Sequence, residues 1–313
     1  MTRRRDDRGF ALLAVLLVTA LLGVVGAEFA YSMRLEASAV RAWRDGIAAA
    51  HLAEAGVEQA LREIVADWQH VGVDEAGLMT FYMRDRTPRP RLQRAQVPLG
   101  PGHFSYRITD EEARVNVNTA TPDRLDRLLQ QFGLDKAARD VVIDSIMDWR
   151  DPNEEHRLNG AESEDHYLTL PVPYRSRNAN LESVAELLQI RGVTPALFHG
   201  AEGKPGLADY VTVKSRGQIN LNTASEPVLR AWGLSDAEIS QVMQARQEEP
   251  FFTPPSQFGG RGFVVVTQTF RIEAEGLVDG RVAARVTAIV QRRAETAPAG
   301  GSGVAVLEWW SGR

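Results

Sequence analysis

The feature that most restricts this chain is an uninterrupted apolar run near its start, Phe10 to Ala27, which carries no charge. As a helix it is ~27 Å long, close to the ~30 Å of a hydrocarbon core. Arg3, Arg4, Arg5 and Arg8 precede it, partly offset by Asp6 and Asp7, so the positive-inside bias keeps the first residues cytoplasmic and exports the rest. A helix apolar all round suits no soluble surface. Val25 and Ala27 would also serve a cleaved secretory signal. The following sequence argues otherwise. No proline occurs before Pro88, and Val40, Trp43, Ile47, Ala50, Val57, Leu61, Ile64 and Trp68 recur at helical spacing. One helix is therefore expected over residues 10–68, with 10–27 transmembrane and the remainder amphipathic.

Composition removes several function classes. The 313 residues include no cysteine, which excludes disulfides, thiolate metal sites and cysteine nucleophiles. A net charge of −5 argues against a general nucleic-acid binder. The six histidines form no HExxH motif, and no GxSxG or Walker A sequence occurs. The expectation is a protein that is not an enzyme.

Beyond the helix, Pro88, Pro90, Pro98 and Pro101 mark loops between residues 67 and 102. His103 to Thr109 alternates as a strand does. Phe263 to Glu275 and Arg281 to Arg293 read as two more strands joined by an Asp279-Gly280 turn. A small-residue linker, Thr296 to Gly303, leads to a last strand, Val304 to Trp310. A long helix laid on such a sheet is the pilin fold, of class α+β, with residues 69–110 and 263–313 as its β part. Between those parts lies a large helical insertion.

The insertion repeats itself. Asn116-Val117-Asn118-Thr119-Ala120 returns as Asn220-Leu221-Asn222-Thr223-Ala224, and Gly133-Leu134 returns as Gly233-Leu234. Thr119, Thr121, Thr223 and Ser225 suit helix N-caps, Pro122 and Pro227 a first turn, and each glycine a left-handed helix end. Each unit reads as a SAM-like or helix-hairpin-helix bundle, the first over 111–212 and the second over 213–262. Such bundles also occur in exported DNA-uptake proteins, which is the rival reading. Here, however, Asp135 and Asp236 stand where a phosphate would approach.

The segment Asp148 to Asp165 holds Asp148, Asp151, Glu154, Glu155, Glu162, Glu164 and Asp165 against Arg150 and Arg157. Asp151-Pro152-Asn153 and Asn159-Gly160 are turn formers. Oxygen ligands on irregular backbone suit Ca²⁺, although the spacing is not that of an EF-hand. A merely solvated acidic loop fits the same residues.

Several of these features together resemble one family. Arg8-Gly9-Phe10 followed by Ala11-Leu12-Leu13-Ala14 is similar to a type IV prepilin leader. The resemblance implies cleavage after Gly9 by prepilin peptidase, removal of residues 1–9, and N-methylation of Phe10. Most pilins carry glutamate at the fifth mature position, where this chain has Ala14; its absence resembles the K-type minor pseudopilins of type II secretion. The order Asp148-Trp149, Asp151, Asn159-Gly160-Ala161-Glu162, Asp165, Tyr167, Pro173-Tyr174 and Asn180 to Leu187 resembles the same family. That likeness implies a calcium-binding helical domain, with Asp151, Glu162 and Asp165 as first candidates, then Asp148 and Asn153. It also implies an inner-membrane anchor with a periplasmic globular region, and a place at the tip of the pseudopilus. The implied partners are minor pseudopilins of the I and J types, the major pseudopilin and the assembly platform, with no nucleic acid. Val40, Trp43, Ile47, Val57, Leu61 and Ile64 are the expected contacts to partner helices.

Overall fold

The computed structural model describes residues 8–65, 70–74, 77–83, 85–293 and 303–312. The leader residues 1–7, Trp68 and most of the expected linker lie outside them. A single helix, α1 (Arg8–Val65), is followed by β1 (His70–Val73), β2 (Met79–Tyr82), β3 (Val97–Leu99) and β4 (Gly102–Asp110). The insertion then contributes β5 (Val115–Asn116), α2 (Pro122–Leu129), α3 (Lys136–Arg150), α4 (Pro195–His199) and β6 (Val211–Thr212). Its second half adds β7 (Ile219–Asn220), α5 (Glu226–Ala231), α6 (Asp236–Glu248) and β8 (Phe263–Val264). The chain closes with β9 (Thr269–Val278), β10 (Arg281–Arg292) and β11 (Val304–Gly312).

The main sheet is antiparallel throughout, in the order β11-β10-β9-β4-β3. The β9–β10 turn places both Asp279 (φ 51°) and Gly280 (φ 73°) in the left-handed region, which a two-residue type I′ hairpin requires. Two expectations need correction. The run Phe263 to Glu275 is not one strand: β8 pairs with β7 of the insertion, and β9 of the main sheet starts only at Thr269. The region 67–102 is not all loop, because Val71, Met79 and Phe81 bury themselves beneath the sheet as the β1–β2 hairpin.

Small side chains dock α1. Ala49, Ala53, Gly56 and Ala60 form a stripe at helical spacing, and the three alanines are completely buried. Gly276 of β9 faces the Ala49 carbonyl so closely that a Cβ would collide with backbone. Leu52, Val57 and Ile64 fill the space on either side. This corrects half of the expected partner surface. Val57 and Ile64 are wholly buried against the protein's own sheet, and Leu61 is packed against the same core. At the helix end Glu63 is clamped by Arg94, at 3.0 and 2.7 Å, and by the Tyr106 hydroxyl at 2.6 Å.

The insertion leaves the sheet at Asp110 and returns at Thr269, and Asp110 pairs directly with Phe270. Its two halves share one core, with α2 packed against α5. Arg127 donates to the Ala231 carbonyl across that contact (3.1 Å), Gln131 donates to the Pro227 carbonyl (2.9 Å), and Arg124 stacks over Trp232.

Candidate functional site

The repeated motif forms two equivalent knots. In the first, the Asn116 carbonyl accepts from Ala120 N and its side chain accepts from Asn118 N, both at 2.9 Å. In the second, Asn220 does the same with Ala224 N (2.9 Å) and Asn222 N (3.0 Å). The second asparagine of each knot grips a distant strand of chain by a bidentate amide pair, Asn118 with Leu181 and Asn222 with Phe251. An arginine from the following helix closes each knot. Arg150 donates to the carbonyls of Val117 and Ala120, and Arg246 to those of Leu221 and Ala224. The repeat is thus explained by backbone satisfaction.

The hairpins do not resemble phosphate cradles. Gly133 and Gly233 are left-handed, as their helix-ending role demands. Thr121 and Ser225 are the N-caps of α2 and α5, without a side-chain cap bond. The N-terminus of α3 is closed by the Asp135 carboxylate accepting from Ala138 N (2.8 Å), and that of α6 by the Ser235–Glu238 capping box. The amides a phosphate would need are therefore already taken, by the Asp135 carboxylate at α3 and by the Ser235 hydroxyl and Glu238 carboxylate at α6.

In the acidic loop, Asp148 is fully buried. Its Oδ2 accepts from the backbone N–H of Arg157 and of Ala161, each at 3.0 Å, while Oδ1 faces Arg157 at 3.4 Å without a hydrogen bond. Gly160 is required here, because a Cβ would collide with Asp148 Oδ2. Glu162 is also buried; its Oε2 accepts from the Ser176 hydroxyl (2.6 Å), and its Oε1 is buried with no partner. Burial pushes the Glu162 carboxyl up to about 7, helped by the negative charges of Asp148, Glu154 and Asp151. Burial likewise raises Asp148, and Asp151 adds to the rise.

The structure thus brings Asp148, Asp151 and Glu162 into one electrostatic neighbourhood, with the exposed Glu154 beside them. Asn153 and Asp165 are exposed and turn to local bonds: the Asn153 amide donates to Asp151 Oδ1 (2.7 Å), and Asp165 Oδ1 accepts from Glu162 N (2.8 Å). Arg150 does not balance this loop, since it closes the first knot. Among the described residues no three His, Asp or Glu side chains converge on one point as a metal cage. Two buried carboxylate oxygens without hydrogen bonds, Asp148 Oδ1 and Glu162 Oε1, are nevertheless what a hard cation satisfies. The donor set fits Ca²⁺.

A second buried acidic group, missed by the sequence reading, sits where insertion and sheet meet. Asp110 Oδ2 accepts from Asn220 (2.9 Å), Thr223 (2.6 Å) and Thr267 (2.7 Å). Glu112 Oε2 accepts from the N–H groups of Gln268 and Thr269, and Glu111 holds Arg271 at 2.7 Å, Arg114 at 3.2 Å and the Thr212 hydroxyl. Burial, followed by the neighbouring Asp110 charge, pushes Glu112 up to about 8, and burial raises Asp110. The available signal was three consecutive acids directly after a strand.

The free part of α1 completes the functional surface. Val40, Trp43 and Ile47 are exposed, as is every residue from Phe10 to Ala27. This helix is long and apolar enough to cross a membrane, which makes the protein a membrane-anchored one with a globular region.

Comparison with known proteins agrees with this architecture. Models of the family described as type II secretion system (T2SS), protein K match residues 106–203 and 219–259. The type II secretion system protein K of Pseudomonas aeruginosa is 26% identical over 303 residues, covering 87% of this chain and 85% of that protein. That of Pectobacterium carotovorum is 26% identical over 275 residues, covering 79% and 76%. Among solved structures, a chain of the GspK-GspI-GspJ complex from the enterotoxigenic Escherichia coli type 2 secretion system superposes with a TM-score of 0.58. It is 16% identical, and the match covers 90% of this chain and 99% of that one, so the likeness speaks for the fold: a long N-terminal helix with antiparallel sheets in a mixed α+β chain. With its long N-terminal helix, its helical insertion and these relatives together, the chain is similar along most of its length to the protein K family, the minor pseudopilins of the type II secretion system.

Proposed function

We propose that this subunit starts and caps a short periplasmic filament, sitting once at its tip, and has no catalytic activity of its own. The observation that carries this reading is the insertion, which occupies residues 111–268 between two neighbouring strands of the sheet. So much bulk beside α1 obstructs every position of a narrow helical stack except the last. Ala14 supports the same place. A subunit inside the stack needs a carboxylate there to neutralise a neighbour's N-terminal amine in apolar surroundings.

In this reading prepilin peptidase cuts after Gly9 and Phe10 becomes the methylated N-terminus, anchored in the inner membrane with the globular region periplasmic. The assembly platform and the major pseudopilin meet the subunit through α1. Its immediate neighbours are I-type and J-type minor pseudopilins, which the solved complex of a similar chain supports. The insertion is read as a pair of diverged SAM-like modules with a packing role and no nucleic-acid ligand. Asp148 and Glu162, with Asp151 and Glu154 beside them, would hold Ca²⁺. The ion supplies positive charge to a loop whose own acids repel one another.

Electron microscopy of filaments carrying a label on the insertion tests the placement. The expected outcome is one label at one end. Labels spaced along the filament would overturn the reading.

A further inference from the structure

The insertion holds a cavity that neither its two asparagine knots nor its acidic loop uses. It measures about 760 Å³ and opens where the first hairpin, Phe132-Gly133-Leu134, meets α4 and the chain before β6. That is the size of a ligand site, and its apolar walls are Phe132, Leu134, Leu197, Pro205, Tyr210 and Pro227. The second half of the insertion closes the equivalent place by itself. Its hairpin residues Trp232 and Leu234 are buried, whereas Phe132 and Leu134 are only half-buried. The Arg124 guanidinium covers the face of Trp232, 3.8 Å from the ring centre, and Trp232 Nε1 donates to the Arg261 carbonyl at 3.0 Å. Arg124 stands eight residues after Asn116; eight residues after Asn220 the chain has Val228, itself fully buried. Phe132 therefore meets Tyr210 edge to face, 5.9 Å between ring centres, and among the described residues no cation lies over it.

The outer wall of the cavity is a strained loop. Gly200 and Gly206 meet at its neck so closely that a Cβ on either would collide with backbone. At its tip Lys204 N donates to the Ala201 carbonyl at 2.9 Å, and the residues between, Glu202 (φ 54°) and Gly203 (φ 76°), are both left-handed. A glutamate in that region is uncommon and strained. Ala201 to Lys204 are all exposed, so the turn serves no core. It holds Glu202 on the rim, where among the described residues the carboxylate has no ion pair, not even with Lys204. We infer that this cavity binds a stretch of polypeptide from another protein, whose arginine lies over Phe132 with Glu202 as its counter-charge. A planar guanidinium stacks on a ring as Arg124 does on Trp232, and its apolar stem suits the walls. One guanidinium fills only part of the volume, so apolar neighbours of that arginine share it. Lys204, the one cation among the lining residues, favours the competing occupant, an acidic peptide. Yet it is Glu202 that the left-handed turn positions, and the covered ring of the second half carries a cation.

The inference is independent of where the subunit sits in a filament. The test titrates three acetylated and amidated tripeptides, Leu-Arg-Leu, Leu-citrulline-Leu and Leu-Glu-Leu, into the full chain in detergent, read by NMR of leucine methyl groups. The arginine tripeptide should shift the Leu134 and Leu197 methyl signals and bind about fivefold more tightly than its uncharged citrulline counterpart. Glu202→Asn keeps a side chain that tolerates the left-handed turn and should erase most of that preference. Phe132→Leu keeps the wall apolar and should erase it as well, while signals from the second half of the insertion stay in place. Equal affinity for the arginine and citrulline probes would overturn the inference, as would tighter binding of the glutamate probe. So would a preference that survives either variant, or no shift at Leu134 and Leu197 up to ~10 mM peptide.

Discussion

Glu112 and Glu162 are carboxyls whose surroundings favour the protonated form, and this sets the sign of two predictions. Glu112 titrates near 8 when folded and near ~4.3 when unfolded. The folded state therefore holds a proton that the unfolded chain releases, so this stabilising contribution is complete below the unfolded value and is lost as pH climbs through 8. The thermal midpoint of the full chain should fall between pH 6 and 9, by roughly 5 °C or more. Glu112→Gln should flatten that fall while keeping an acceptor for Thr269 N; an unchanged slope would assign the proton elsewhere. At Glu162 the relief proposed above is a cation. Calcium at 100 times its Kd should stabilise the protein by about 2.7 kcal/mol, read as a rise in midpoint that chelator reverses. Glu162→Gln should remove most of that rise. Gly160→Ala should do so indirectly, because its Cβ displaces the Asp148 carboxylate.

At the scale of elements, α1 depends on the absence of side chains where it meets β9. Gly276→Ala places a methyl against the Ala49 carbonyl, and overpacking of this kind costs about 1–3 kcal/mol. Hydrogen exchange should show faster opening of residues 45–65 in this variant. Gly46→Ala, with open space around it, should leave exchange unchanged or slower. Much of this element was legible in the sequence, because an apolar run and helical spacing report length and amphipathicity directly. Which amphipathic residues face inward was not. Val57, Leu61 and Ile64 share their periodicity with Val40, Trp43 and Ile47, and periodicity does not say where along the helix the sheet begins. The β1–β2 hairpin was hidden for a related reason: strands of four residues alternate too briefly to stand out. In the acidic loop, the turn residues and Asp148, Asp151 and Glu162 were readable. The turning away of Asn153 and Asp165 depended on local backbone geometry that composition does not encode.

Over the whole molecule, two hydrophobic cores divide the chain, one beneath the sheet and one within the insertion. Removing the insertion should therefore leave a folded sheet-and-helix unit only if the gap at Asp110 and Phe270 is closed by a short turn. Those residues already pair across neighbouring strands, so circular dichroism of such a deletion should retain β signal. Loss of all structure would show that the two cores fold as one. The Asp110 junction also has a mechanical meaning. A pull on the insertion reaches the sheet through β4 and β9 at the same end. Asp110, bonded to Thr267 on the returning chain and to Asn220 and Thr223 of the insertion, stops those two strands from being peeled apart. Force is then borne lengthwise, in shear against β3, β10 and α1, so that many hydrogen bonds resist together. At the filament tip proposed above, a chain built this way would transmit thrust into its long N-terminal helix without unzipping the strands that carry it.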